Sequence, residues 1–279
     1  MISFLQYILP QHLLSRLMGF FAELEQSWIK NFFINQFIKR YHVNMNEAIH
    51  DNALAYRNFN DFFTRELKPH VRTVVQDVNA ITSPVDGAIS QMGDSQAGRI
   101  FQAKGFDFTI NELLGGKPER AQPFMGGKFI TLYLSPKDYH RIHMPIRGKL
   151  KEMVYIPGKL FSVNSSSVNT IPRLFARNER VIALFDTEVG PMAIIMVGAM
   201  IVASINTVWH GDINADRKNQ IIAWEYTDDK IYERGDEIGH FKLGSTVLVL
   251  FGPNAIAWKN DLQADSVIQL GQLVGMIKE

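Results

Sequence analysis

The chain has 279 residues and no cysteine. That excludes disulfides, thiolate metal sites and a cysteine nucleophile, and leaves the compartment open. No run of 18 apolar residues occurs, so no transmembrane helix is expected. Neither sign of charge is in excess: 29 basic and 28 acidic residues give a net charge of +1. A general nucleic-acid binder would need a basic surplus. Met1 to Gln11 has no basic leading region, and no small-residue cleavage site follows it, which disfavours a secretory leader. Also missing are an internal repeat, a low-complexity tract, a His-Glu-x-x-His metal motif and a Gly-x-Ser-x-Gly elbow.

What is present is a chain that is 46% hydrophobic, enough for one large domain or two small ones. The first 70 residues read as helical. Leu13, Leu14, Leu17, Met18 and Phe21 recur at helical spacing, as do Trp28, Phe32, Phe33, Phe37, Ile38 and Tyr41. Pro10 suits a helix start. Arg16, Lys30, Lys39 and Arg40 are interspersed. Such helices either cover the core of their own domain or lie in a bilayer interface. From about Ile81 short apolar, β-branched runs take over: Phe129 to Leu134, Val181 to Phe185, Ala193 to Ile205, Ile221 to Tyr226 and Thr246 to Phe251. Turns such as Pro157-Gly158 and Gly252-Pro253-Asn254 separate them. One short helix is expected around Ile110 to Leu114. The fold class is therefore α+β: amino-terminal helices over residues 1–70, then a β-rich domain of short, mainly antiparallel strands over 71–279.

The chemistry concentrates at Leu243-Gly244-Ser245-Thr246. Gly244 has no side chain to shield its carbonyl, and Ser245 stands at the mouth of a buried-strand pattern. Its hydroxyl can attack the preceding peptide bond, turning the amide into an ester and opening a route to a backbone break. A Gly-Ser pair is more often a turn. Here Ser83-Pro84-Val85-Asp86-Gly87 and Tyr139-His140-Arg141-Ile142-His143-Met144-Pro145 supply the acid and imidazoles that activate a hydroxyl. His143 is the candidate base and Asp86 its orienter. In isolation, Asp86-Gly87 also reads as a turn, and either histidine as a structural group. His140 and His143, three apart, would share a helix face and could bind zinc. No third ligand is evident, and Pro136 and Pro145 favour a turn or a short helix there, so no metal is expected. Arg234-Gly235-Asp236 reads as a turn. Phe161-Ser162-Val163-Asn164-Ser165-Ser166-Ser167 is a polar loop between apolar anchors, which is either a solvated turn or a binding loop.

These segments together resemble the phosphatidylserine decarboxylase family in its bacterial and mitochondrial form. The resemblance also takes in Phe59-Asn60-Asp61-Phe62-Phe63-Thr64-Arg65, Phe101-Gln102-Ala103-Lys104-Gly105, Tyr133-Leu134-Ser135-Pro136-Lys137-Asp138 and Val197-Gly198-Ala199. It spans most of the chain, and no position expected to carry chemistry departs from the pattern. It implies Asp86, His143 and Ser245 as the catalytic set, and cleavage between Gly244 and Ser245 into chains 1–244 and 245–279 that stay associated. It further implies a covalent pyruvoyl group made from Ser245. This carbonyl condenses with the substrate amine and spreads the charge left by carbon dioxide, as pyridoxal phosphate does. His140 becomes the candidate acid for the α-carbon, needing only a modest pKa shift. Phe161, Ser162 and Asn164 become candidate substrate contacts. The expected substrate is phosphatidylserine, met at a lipid bilayer surface on the cytoplasmic face of the cell membrane, by an enzyme that a homodimer would also suit. The alternatives are a Ser-His-Asp lipid esterase and a non-catalytic sandwich-type carrier domain, but neither the serine elbow nor a carrier-lysine motif is present.

Overall fold

The computed structural model describes residues 6–200, 204–213, 220–242 and 245–278. The helices that matter for function are α1 (Gln11–Ala22), α2 (Ser27–Tyr41) and the short α3 (Phe59–Phe63). The strands in chain order are β1 (Ala80–Thr82), β2 (Gly87–Asp94), β3 (Arg99–Ala103), β4 (Phe106–Thr109), β5 (Lys128–Leu134), β6 (Arg141–His143), β7 (Gly148–Ile156), β8 (Arg180–Thr187), β9 (Gly190–Val197), β10 (Ser204–Thr207), β11 (Gly211–Asp212), β12 (Ile222–Glu225), β13 (Ile231–Tyr232), β14 (Glu237–Lys242), β15 (Ser245–Phe251), β16 (Ile256–Trp258), β17 (Val267–Ile268) and β18 (Leu273–Ile277). Helices therefore precede a β-rich region whose named strands pair antiparallel, as the sequence implies.

The main sheet runs β12-β7-β8-β9-β15-β5-β2-β17, with β13 also on β7. Strand β15 sits at its centre, between β9 and β5. Its seven residues are all buried. That explains the unbroken apolar run: a strand covered on both faces has no solvent side to keep polar. Val247, Val249 and Phe251 join one core with Ile130, Leu132 and Leu134 of β5, covered by Ile142 of β6, Ile238 and Phe241 of β14 and Ile256 of β16. Leu248 and Leu250 join the opposite core, under Ile100 of β3, Phe108 of β4 and Phe175. The apolar stretch expected from Ala193 to Ile205 divides into β9 and β10. The strand ends before Gly198, whose carbonyl accepts from Asn178 Nδ2 at 2.8 Å. The His140–His143 segment is not helical: His140 leaves a turn and Arg141 to His143 form β6 against β14. Arg234-Gly235-Asp236 is the turn entering β14, with Gly235 at φ +89.

Helix α1 inverts the usual amphipathic arrangement, and α2 exposes large apolar groups beside its polar ones. Helix α1 buries Gln11, Ser15 and Ala22 and exposes Leu13, Leu17, Met18, Phe20 and Phe21. Helix α2 buries Lys30 and Ile34 while Trp28 stands 78% exposed and Phe32 58%. Lys30 is satisfied inside: its Nζ donates to the Leu54 carbonyl at 2.8 Å. On α1 the polar stripe thus faces protein and the large apolar groups face outward, while α2 packs Ile34 and Phe37 inward yet leaves Trp28, Phe32 and Phe33 outside, more apolar exposure than helices that merely cover a core show. Helix α3 is capped by Asn58, whose Oδ1 accepts from Asp61 N at 2.9 Å. Its Phe59, Phe62 and Phe63 pack with Phe37 and Ile34 into a small separate core. No helix among the described residues is long and apolar enough to cross a membrane.

Candidate active site

Four chain segments meet at one end of the main sheet. Ser245 opens β15 opposite Leu134, the last residue of β5. The next residue, Thr246, lies between Tyr133 of β5 and Val197, the last residue of β9. On the far side of β5, β2 begins at Gly87, directly after Asp86, and its Ala88 pairs with Tyr133. The register explains the Asp-Gly step as more than a turn. A Cβ on Gly87 would lie 2.3 Å from the Tyr133 carbonyl oxygen, so only glycine lets β2 pass over β5 there. Asp86 and Ser245 are thereby carried on strands that flank β5 at the same end.

Ser245 is completely buried, and its Oγ has no hydrogen-bond partner among the described residues. A buried hydroxyl left in this state costs about 1–3 kcal/mol. Gly244 lies outside the described residues. His140 is also completely buried. Its Nδ1–H donates to the Asp138 carbonyl at 2.8 Å, which leaves the lone pair on Nε2, and Nε2 too has no partner. The Phe63 ring lies against it, with centroids 4.1 Å apart. Burial lowers the His140 pKa to about 3. This corrects the expectation of a modest shift: no water reaches the ring, so the imidazole is held neutral.

His143 is fixed at both ring nitrogens. Nδ1–H donates to the Gly235 carbonyl at 2.8 Å, and the Tyr139 hydroxyl donates to Nε2 at 3.1 Å. Burial lowers its pKa as well, so it too is a neutral, proton-accepting imidazole. Its backbone N–H reaches the carbonyl of Pro84, two residues before Asp86, at 2.8 Å. The Asp86 carboxylate turns elsewhere. Arg72 Nε donates to Oδ1 at 2.9 Å and Nη2 to Oδ2 at 2.6 Å, and Leu270 N donates to Oδ1 at 2.8 Å. Arg72 also holds Glu47 at 2.8 Å. Burial works against its charge, but the bonds to the two carboxylates outweigh that and raise its pKa.

The three sequence-derived catalytic residues are therefore gathered at one end of the sheet but not linked into a relay. No hydrogen bond joins Asp86 to His143 or His143 to Ser245 among the described residues. The physical reason is competition: a bidentate guanidinium outbids an imidazole for Asp86, and the Gly235 carbonyl takes the proton Asp86 would have oriented. Sequence reasoning missed Arg72 and Tyr139. Tyr139 stood inside the quoted histidine segment and could have been found there; Arg72 carries no local signal. Both line a cavity of about 270 Å³ with Asp86, Glu47 and Arg65.

Of the proposed substrate contacts, Phe161 is buried, and its N–H and carbonyl are both held by the Asn178 side chain, at 3.1 and 2.8 Å. Asn178 also binds the Gly198 carbonyl, so the 161–167 loop is pinned to the residue that follows β9. This places it at the Ser245 end of the sheet. Asn164 caps a short helix, accepting from Ser167 N at 2.9 Å, which accounts for its side chain without a ligand. Among the described residues no group of three metal-ligating side chains occurs, and His140 and His143 each spend one nitrogen on a backbone carbonyl.

A family model described as phosphatidylserine decarboxylase matches residues 59–276, and one described as PSD matches residues 2–42. The chain belongs to the phosphatidylserine decarboxylase family. A phosphatidylserine decarboxylase proenzyme of Pseudomonas putida strain GB-1 is 55% identical over 273 residues, covering 96% of this chain and 95% of that relative. Proteins with the same printed name from Ectopseudomonas mendocina (54%, covering 97% and 96%) and Idiomarina loihiensis (51%, covering 99% and 96%) match equally completely. The family assignment covers both the helical segment and the β-rich region that carries Ser245.

Two buried neutral histidines have a consequence for stability. Their folded pKa values lie below the ordinary 6.5, so unfolding takes up protons once the pH falls beneath that value. The stability they contribute is complete above pH 6.5 and is lost as pH falls, for His140 down to about 3. Each contributes a slope of up to about 1.4 kcal/mol per pH unit. Denaturant unfolding at pH 7 and pH 5 should show lower stability at pH 5, with a smaller difference in His140→Gln. An equal pH dependence in that variant would mean His140 is not the buried neutral group.

Proposed function

We propose that this chain is a phosphatidylserine decarboxylase proenzyme that cuts itself between Gly244 and Ser245. The observation that carries this reading is the Ser245 hydroxyl, buried and unpartnered at the head of the central strand. In a protein of this family, a polar group kept at such cost is better explained by reactivity than by packing. Ser245 Oγ attacks the Gly244 carbonyl as a base takes its proton, and the amide becomes an ester with a free Ser245 amine. Removal of the Ser245 α-proton then breaks the Cβ–O bond. Gly244 leaves as a carboxylate, and the dehydroalanine left at 245 tautomerises. Water then replaces its nitrogen, releasing ammonia and leaving a pyruvoyl end.

The neutral state of His143 suits the base. To reach Ser245 its Nε2 must give up the Tyr139 hydroxyl, and to be oriented by Asp86 the carboxylate must free one oxygen from Arg72. Both roles therefore require side-chain rearrangement. The pyruvoyl carbonyl supplies the electron sink for decarboxylation of the substrate's amino-acid head group. The surroundings of Ser245 fit such a group: the residue is fully buried, and His140, on the segment that follows β5, keeps an unpartnered Nε2. His140 supplies the α-carbon proton. It takes up this proton once an anionic head group enters, because nearby negative charge favours the imidazolium and offsets its burial.

The outward apolar faces of α1 and α2 support docking on a bilayer, with Arg16, Lys39 and Arg40 available to anionic lipid. Between these helices and α3 lies an apolar groove of about 390 Å³ lined by Met18, Phe21, Phe33, Phe37, Phe59 and Phe63. An acyl chain in it would end at Phe63, whose ring packs on His140.

Intact mass under denaturing conditions tests the reading. The active protein should give two chains, 1–244 and 245–279, the smaller with a blocked amino terminus. Asp86→Ala and His143→Ala should slow that conversion by orders of magnitude. His140→Ala should process yet fail to decarboxylate phosphatidylserine. A single uncut mass in active enzyme sinks the proposal.

A further inference from the structure

The segment 6–13 presents Ile8, Leu9 and Leu13 outward, at 69%, 41% and 63% exposure, but its glutamines point the other way. Gln6 and Gln11 are each only 5% exposed. Gln11 Oε1 accepts from Leu160 N at 2.7 Å, and Gln6 Oε1 accepts from Ser162 N at 2.8 Å. Their amide nitrogens lock the pair: Gln11 Nε2 donates to the Gln6 carbonyl at 2.6 Å, and Gln6 Nε2 to Ser167 Oγ at 3.1 Å. His12 Nε2 donates to the Gly158 carbonyl at 3.0 Å. Tyr7 packs on Phe161 with centroids 5.0 Å apart, and the Arg177 guanidinium lies over both rings.

The loop from 158 to 167 is thus held from two sides. On its inner side Asn178 joins Phe161 to Gly198 and so to the end of the strand beside Thr246. On its outer side the acceptors for Leu160 N and Ser162 N are side chains of a segment whose other surface is apolar and exposed. Two glutamines are well suited to this. Each offers an acceptor to a backbone N–H and a donor that fixes its own amide, with no charge to bury. Withdraw the segment and the N–H groups of buried Leu160 and half-buried Ser162 lose their partners and open to solvent, which loosens the loop they hold.

We infer that Gln6 and Gln11 are positioning residues that couple docking of the amino-terminal segment on a lipid surface to the shape of the 158–167 loop. The inference rests on the reading of that loop as part of the decarboxylase site and of α1 as the lipid-facing helix. Binding that holds the segment in place favours the held loop, and by reciprocity a substrate that orders the loop tightens lipid binding. The enzyme would then be most competent when seated on the bilayer that contains its substrate.

Amide hydrogen exchange of the processed, full-length enzyme tests this, read on peptides spanning 158–168 with and without vesicles of phosphatidylcholine and phosphatidylglycerol. Neither lipid is a substrate, so the readout does not depend on turnover. Vesicles should slow exchange at Leu160 and Ser162 by about tenfold or more in the wild type. Gln11→Met should exchange faster and respond to vesicles little, while still sedimenting with them. Gln6→Met precedes α1, so it removes the contact without breaking the helix, and should behave the same way. With a soluble short-chain phosphatidylserine, both variants should raise KM several-fold more than they lower kcat, because the loop is disordered before substrate binds but not after. Exchange in the wild type that ignores vesicles it demonstrably binds overturns the coupling. So does wild-type protection in both methionine variants. Vesicle-dependent protection in an enzyme without decarboxylase activity would keep the coupling and discard the functional reading.

Discussion

Ser245→Ala is expected to leave a single 279-residue chain without decarboxylase activity. The loss should be complete, since in the proposed mechanism the same side chain provides both the nucleophile for cleavage and the atoms of the electron sink. Turnover should fall by at least the several orders of magnitude associated with removing a covalent centre. The variant should be as stable as the processed wild type, or more so. Against the uncleaved precursor it should be more stable still, because there Ser245 Oγ is buried without a partner and removing an unsatisfied hydroxyl relieves a cost of about 1–3 kcal/mol. The chain also keeps its centre intact, because β15 remains covalently joined to β14. Intact mass and denaturant unfolding read the two effects separately. Loss of activity with a marked drop in stability would mean that the serine is structural and that the cleavage reading is wrong.

The second large effect is expected at the membrane. Leu17→Glu with Phe20→Glu should abolish sedimentation with liposomes and activity on bilayers, while self-cleavage proceeds. The structure refines the choice of positions. Leu14 is only partly exposed, whereas Leu17 and Phe20 stand 51% and 63% exposed. Their replacement therefore removes lipid contacts and touches little protein. Each large apolar side chain placed in the interface contributes on the order of 1.5–3 kcal/mol before ordering costs. Losing two and adding two negative charges beside anionic lipid should weaken binding by at least about 100-fold. Undiminished sedimentation of the folded variant would assign docking to another surface. Turnover of a soluble short-chain substrate should survive far better than turnover of the bilayer substrate, since the groove beside Phe63 is not altered.

After cleavage the 245–279 chain should remain bound, for a reason the fold makes specific. Strand β15 is hydrogen-bonded on both edges, to β5 and β9, and all its side chains are buried. Release would open the centre of the main sheet. The proposed break falls at its end, where one peptide bond contributes little to the packing.

Local patterns were sufficient for much of this molecule. The two amino-terminal helices, the short helix at Ile110, the buried run of β15 and the turn at Arg234-Gly235-Asp236 all follow from periodicity and turn chemistry, which act over a few residues. The order of helices before antiparallel strands follows from the same signals. The motif segments identified the family and nominated Asp86, His140, His143 and Ser245, because those residue types are the ones acyl transfer and proton transfer need. Only the tertiary structure decided how they are held. The register of β2, β5, β9 and β15, a long-range property, puts Asp86, Ser245 and the Phe161 loop at one sheet end. Burial, which no local pattern gives, moves His140 far from an easily protonated state. Competition among partners decides that Asp86 is held by Arg72 and His143 by Gly235 and Tyr139. Helical spacing marked α1 and α2 as amphipathic but could not say which face meets protein. For α1 that was settled by Gln6 and Gln11 finding backbone donors on a loop some 150 residues away, which leaves Leu13, Leu17 and Phe20 to face outward, and for α2 by Ile34 and Phe37 packing with the phenylalanines of α3.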